Sequence, residues 1–314
     1  MRYLPLGNSG LHVSIVGIGC NNFGRRLDAD ATAAVVNTAI DLGVTLFDTA
    51  DIYSHGESEV LLGQALGKRR DQAVIASKFG HQNGDMGYGP AAGAKGGRSY
   101  IRRAVEESLR RLGTDYIDLY QIHTPDPVTP IAETLTALDE LIDEGKIRYI
   151  GHSNFSGWQI AQAAHTADEL GLNGFVSAQN HWSLLEREAE REVTPAAIEY
   201  GLGVLPYFPL ANGLLTGKIR RGVAAQEGTR LYGNDTYVTE EKLDRVEALF
   251  AFAETNGVSL LDVAIGGLAA LPGCASVIAG ATKPEQVRAN VAAVEWEPTD
   301  EQLDELDEIL TPPQ

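Results

Sequence analysis

Short apolar runs of four to seven residues alternate along the chain with longer segments of helical periodicity. The runs fall at 15–19, 44–48, 74–78, 117–123, 149–153, 175–180, 203–207 and 276–279. They are mostly apolar rather than strictly alternating, which is the pattern of strands buried on both faces of a parallel sheet. Between them, helical patterns cover 31–42, 58–66, 99–112, 131–144, 158–170, 186–200, 240–256, 259–271 and 284–293, and a charged helix at 300–310 follows. Glycines stop most of them, at Gly43, Gly67, Gly113, Gly145, Gly171 and Gly201. Ser58 reads as an N-cap, and Pro195 predicts a kink or restart. Ahead of the first strand, Gly7-Asn8-Ser9-Gly10 marks the turn of a hairpin. Eight strand–helix units in one unbroken series predict a single α/β domain over 1–314, a closed (β/α)₈ TIM barrel with an N-terminal β-hairpin and a C-terminal helix.

Two other phosphate-binding architectures are excluded. The first strand leads into Gly17-Ile18-Gly19-Cys20-Asn21-Asn22-Phe23-Gly24, whose spacing is not the dinucleotide fingerprint of a Rossmann fold. Gly89 and Gly93 are too close for a P-loop, and no Gly-Lys-Ser/Thr follows them. Composition narrows the class further. The 314 residues carry 43 acidic and 25 basic side chains, a net charge of −18. That balance opposes nucleic acid and anionic membrane surfaces as partners, while leaving room for a local basic patch. The 44% hydrophobic content suffices for a large core. Cys20 and Cys274 stand far apart, with no disulfide framework and no metal-ligand spacing, so no metal is expected. Residues 1–7 lack a signal-peptide core, and no 18-residue apolar window occurs. A cytoplasmic protein, monomer or homo-oligomer, is the expectation.

In such a barrel, chemistry sits at the C-terminal strand ends. Asp48 ends the second strand, with Tyr53 in the loop beyond; Lys78 ends the third and His123 the fourth. A lone Asp–Lys pair inside a barrel is ordinarily a structural ion pair, and a lone strand-end histidine a loop anchor. Together the four form an acid–base set. A tyrosine hydroxyl ionises near pH 10, and a neighbouring ammonium favours the phenolate. Bringing that value near 7 takes about 4 kcal/mol of differential interaction. Asp48 would keep the lysine charged, and His123 would orient a carbonyl oxygen. The set suits protonation of a developing alkoxide, as in carbonyl reduction by hydride.

Longer stretches carry a family resemblance. Leu46-Phe47-Asp48-Thr49-Ala50-Asp51-Ile52-Tyr53 resembles the signature of aldo-keto reductases. So do Arg111-Leu112-Gly113-Thr114-Asp115-Tyr116-Ile117-Asp118-Leu119 running into Gln121-Ile122-His123, and Gly151-His152-Ser153-Asn154-Phe155. Gln179-Asn180, Tyr207 with Pro209-Leu210, and Gly280-Ala281-Thr282 with Pro284-Glu285-Gln286 complete a match from residue 3 to about residue 295. The resemblance implies extended binding of NADPH without a Rossmann domain and reduction of aldehydes or ketones, including sugar-derived ones. Tyr53 would be the general acid, tuned by Lys78 and Asp48, with His123 orienting the carbonyl. Ser153, Asn154 and Gln179 would hold the carboxamide, and Tyr207 would stack on the nicotinamide. Pro209, Leu210, Gly213, Lys218 and Arg230, in the long segment after the seventh strand, would clamp the cofactor. Gly280, Thr282, Gln286 and Asn290 would hold its adenosine end, with Lys283 at the 2′-phosphate.

Two departures keep NADH as the alternative cofactor: Phe208 stands where a serine is common, and Ala289 where a glutamate often contacts adenine. Trp182 reads either as a wall of the substrate pocket or as packing under a loop, and Phe23, Tyr88 and His55 are weaker candidates for the pocket wall. The glycine-rich stretch 84–97 reads as a lid or a plain surface loop. Arg220 and Arg221 read as part of a solvated basic loop. The alternative function is a cofactor-sensing regulatory subunit of a channel-like partner, since similar barrels serve in that way.

Overall fold

The computed structural model describes residues 1–223, 231–232 and 237–310. A two-stranded antiparallel hairpin comes first, β1 (Tyr3–Pro5) and β2 (His12–Ser14). Eight parallel strands follow: β3 (Val16–Gly19), β4 (Leu46–Asp48), β5 (Val74–Phe79), β6 (Ile117–Ile122), β7 (Ile147–Ser153), β8 (Ser177–Gln179), β9 (Gly203–Val204) and β10 (Val277–Gly280). They pair in chain order, with β10 against β3. Isolated parallel bridges Val204–Cys274 and Tyr207–Ile278 join the two edges, so the sheet curls into a (β/α)₈ barrel.

Helices cover the outside: α1 (Ala29–Asp41), α2 (Glu57–Leu66), α3 (Arg98–Leu112), α4 (Ile131–Asp143), α5 (Gly157–Leu170), α6 (Ala189–Glu199), α7 (Glu240–Thr255), α8 (Leu260–Asp262), α9 (Leu268–Ala270), α10 (Pro284–Ala293) and α11 (Asp300–Leu310). The main core lies between strands and helices. A second cluster fills the barrel interior, where Leu6 and Val13 of the hairpin meet Leu46, Ala76, Leu119, Leu205 and Ile278. The hairpin turn therefore plugs one end of the barrel. Gly7 makes this close approach: its φ is +57°, and a Cβ there would lie 2.4 Å from the Gly201 carbonyl oxygen.

Four local expectations are corrected. Ser58 is not the cap of α2; Gly56, in a left-handed conformation, precedes the helix. The Ser58 hydroxyl is buried and bonds the Cys20 carbonyl and the Thr49 hydroxyl. The run 203–207 pairs as a strand only over Gly203–Val204, because Pro206 has no N–H for a ladder. Pro206 still accepts from the Ile278 amide, at 3.0 Å. Helix α6 passes through Pro195 unbroken. A π-turn at Val263–Gly267 separates α8 from α9 where one helix is predicted. No single helix among the described residues is long and apolar enough to cross a membrane.

Candidate active site

Strands β4 and β5 lie side by side in register, and their ends carry Asp48 and Lys78. The Lys78 Nζ donates to both Asp48 oxygens, at 2.7 and 2.8 Å, and to the Thr49 carbonyl at 2.9 Å. It also reaches the Tyr53 hydroxyl oxygen at 3.3 Å. Gln179, 131 residues from Asp48 in sequence, donates to the same carboxylate at 2.7 Å. His123 follows β6, its ring centroid 5.9 Å from that of Tyr53 and nearly perpendicular to it. The four residues of the expected acid–base set thus converge at the C-terminal ends of three adjacent strands.

Their electrostatics differ in one respect from the expectation. Burial alone would discharge Lys78, but the Asp48 carboxylate and the Tyr53 oxygen hold its ammonium above the ordinary lysine value. Lys78 is therefore charged. For Tyr53, burial raises the phenol and Lys78 pulls the other way; the net direction is upward, not the lowering expected. Desolvation of the phenolate outweighs one ammonium when that ammonium is already paired to Asp48. Tyr53 is accordingly a neutral hydroxyl whose oxygen accepts from Lys78 and whose proton is free to donate. Burial, then Lys78 and His81, push His123 well below the ordinary histidine range, so it is neutral. Its Nδ1 is buried without a partner among the described residues, which leaves Nε2 to face a ligand.

Asp48, Tyr53 and His123 form the floor of a cleft of about 480 Å³, with Lys78 buried beneath them. One side is lined by Ser153, Asn154, Gln179 and Tyr207, and the far end by Gly280, Thr282 and Gln286. Pro209, Leu210, Gly213 and Lys218 line the stretch between. Asn154 donates to the Ser153 hydroxyl and the His123 carbonyl, both at 3.0 Å, and accepts from the Tyr207 hydroxyl at 2.8 Å. Among the described residues, six that are not glycine have positive φ: Ser54, His55, Asn154, Phe208, Ala211 and Asn212. All lie in loops at this end of the barrel, where backbone strain commonly marks a functional site. Amide side chains at one end, a flat aromatic ring beside them, Lys218 between and the start of α10 at the other end form a donor set that fits an extended dinucleotide.

The sequence profile of the Aldo/keto reductase family matches residues 15–311. The chain belongs to the aldo/keto reductase family. An oxidoreductase of Bacillus subtilis, YrpG, otherwise uncharacterized, is 37% identical over 321 residues, covering 100% of this chain and 97% of that protein. A probable voltage-gated potassium channel subunit beta of Arabidopsis thaliana is 36% identical, covering 99% and 97%. Versiconal hemiacetal acetate reductase of Aspergillus parasiticus is 32% identical, covering 99% and 98%.

Several expected positions lie elsewhere in this aldo/keto reductase. Phe23, Tyr88 and Trp182 do not line the cleft. Phe23 is fully buried under its own loop. Tyr88 packs on Tyr100, and Arg103 lies against its ring. Trp182 is 1% exposed and donates to Glu190 at 2.8 Å. All three belong to the main hydrophobic core, where burying a large aromatic surface is favourable. His55 is exposed. Lys283 precedes α10 without lining the cleft, and Asn290 is buried in α10 with its Nδ2 unpartnered among the described residues. Arg220 pairs with Glu247, and Arg221 with Glu240 and Asp244, all on α7. Arg230 lies outside the described residues. In the stretch 84–97, Tyr88 and Ala92 are buried anchors.

Sequence reasoning missed Asn21, Asn22 and Arg26 after β3, and His81 after β5, all of which line the cleft. Only their place just beyond barrel strand ends could have signalled them. It also missed Asp51. This residue is 1% exposed, and both its carboxylate oxygens lack partners among the described residues. Burial and the nearby Glu59 push its carboxyl up to about 7, against the pull of Arg111, the Ile52 amide and Lys78.

Proposed function

We propose that the protein reduces aldehydes and ketones to alcohols with NADPH, NADH being the alternative cofactor, and that Tyr53 is the general acid. The observation that carries this reading is a neutral Tyr53 hydroxyl, 3.3 Å from a charged Lys78 Nζ, at the floor of a cleft lined by amide side chains. When bound, the cofactor supplies a hydride to the carbonyl carbon. Ser153, Asn154 and Gln179 orient the nicotinamide carboxamide, and Tyr207 supports the ring. Lys218, with Gly280, Thr282 and Gln286, holds the phosphate and adenosine end, together with Arg230.

The neutral His123 donates to the carbonyl oxygen from Nε2 and fixes its approach. As negative charge develops on that oxygen, the Tyr53 hydroxyl passes it a proton. Lys78, kept charged by Asp48, stabilises the phenolate that remains, and a proton from solvent restores the hydroxyl. Both cysteines are free and buried, which fits a reducing, cytoplasmic setting.

The test is oxidation of NADPH and NADH by the purified protein across a panel of aldehydes, ketones and sugars. Steady turnover on at least one class supports the reading, and binding of cofactor without turnover on any would overturn it. The likeness to a probable channel subunit favours a second reading, a cofactor-sensing regulatory subunit. Tight cofactor retention together with recovery of a membrane partner would support that one.

A further inference from the structure

His81 is a cleft residue whose hydrogen-bonding state is set by the surrounding structure. It lies three residues beyond Lys78, and its ring centroid is 4.6 Å from that of His123, edge-on. Its loop is fastened to the neighbour of His123: the Thr124 hydroxyl donates to the Gly80 carbonyl at 3.1 Å and accepts from the Gln82 amide at 2.9 Å. Lys95 closes the same loop from the other side, donating to the carbonyls of His81, Gln82 and Gly84. These bonds hold the backbone of the His81 loop in place beside His123.

The tautomer is set as well. The Asn83 amide donates to His81 Nδ1 at 3.2 Å, so that nitrogen is the acceptor. Burial, and then Lys95, hold the ring below the ordinary histidine value, so it is neutral and its one proton sits on Nε2. No group among the described residues takes up Nε2, and the side chain lines the cleft.

Position decides what that donor serves. His81 follows β5 and Asn154 follows β7, with β6 and His123 between them. The donor thus stands across His123 from the amide side chains assigned to the nicotinamide. We propose that His81 is a specificity-determining residue that donates a hydrogen bond from Nε2 to a second oxygen on the carbon next to the substrate carbonyl. This rests on the carbonyl-reductase reading above. The favoured substrates are then α-hydroxy- and α-oxo-carbonyl compounds, and Asn21, Asn22 and Arg26 give the same cleft further polar lining.

The experiment compares kcat/KM for hydroxyacetone and for butanone, which differ by a hydroxyl in place of a methyl, in the wild type, His81→Phe and His81→Gln. Comparing ratios between proteins cancels the intrinsic reactivity of the two ketones. The wild type should prefer hydroxyacetone. His81→Phe should lower the preference about tenfold, the value of one good hydrogen bond. His81→Gln, which keeps a donor, should retain part of it. Should His81→Phe not fold, as judged by its melting curve, His81→Leu replaces it. An equal wild-type ratio, or a preference unchanged in the variant, overturns the inference while carbonyl reduction stands. Failure of the wild type to reduce any carbonyl overturns both.

Discussion

Asp51 offers a quantitative test because its environment penalises one charge state only. The carboxyl is 1% exposed and lies near Glu59 and Arg111 on α2 and α3 and near Lys78 on β5, with Tyr88, Tyr100 and Tyr120 also facing it. It ionises near 7 rather than near its ordinary value of 3.8. Ionising it inside the folded protein therefore costs about 4 kcal/mol more than in the unfolded chain. The folded value lies above the unfolded one, so the native state holds the extra proton. This contribution to stability is fully present below about pH 4 and declines as pH rises, and its loss is complete above about pH 7.

Asp51→Asn has no charge to bury, so its stability lacks this decline. From pH 5 to pH 8 the variant should gain about 3 kcal/mol relative to the wild type. Urea unfolding followed by circular dichroism at the two pH values measures that difference, and any pH-independent effect of the amide cancels. Stability curves that run parallel from pH 5 to pH 8 would refute the burial argument.

Other expectations follow from the same contacts. Lys78→Met strands Asp48 in the barrel and should lower stability by about 3–5 kcal/mol, seen in urea midpoints, as well as halting turnover. His152 is fully buried with both ring nitrogens unpartnered among the described residues, and burial pushes it down to about 3. Its folded value lies below the unfolded one, so stability is lost as pH falls from about 6.5 to about 3. His152→Phe should remove that acid sensitivity, measured by melting at pH 7 and pH 4. Lys218→Ala should weaken NADPH binding several-fold at low salt and less at high salt. Arg221→Ala, whose partners are on α7, should leave the binding isotherm unchanged.

Much of the fold is legible because buried parallel strands are written as continuous apolar runs and because glycines end the helices. Gly113 and Gly171 adopt the left-handed conformation that an αL cap requires. The acid–base set is legible for a related reason: Asp48, Lys78 and His123 are polar residues closing apolar runs, and the barrel places such ends together. Loop residues carry no such pattern. Phe23 anchors its turn, where the Asn22 carbonyl accepts the amides of Arg25, Arg26 and Leu27 at 3.2, 2.8 and 3.1 Å; its burial depends on that turn. The Gln179–Asp48 contact is invisible to local spacing. The direction of the Tyr53 shift is set by a competition between burial and charge, and only geometry decides it.

The central claim is that the Tyr53 hydroxyl delivers the proton. Its most direct test is Tyr53→Phe, with carbonyl-dependent NADPH oxidation and NADPH affinity measured on the same preparation. The account predicts that turnover falls by about 10²–10⁴-fold, the range for a lost general acid, while the dissociation constant stays within about twofold. Turnover at the wild-type rate would contradict it.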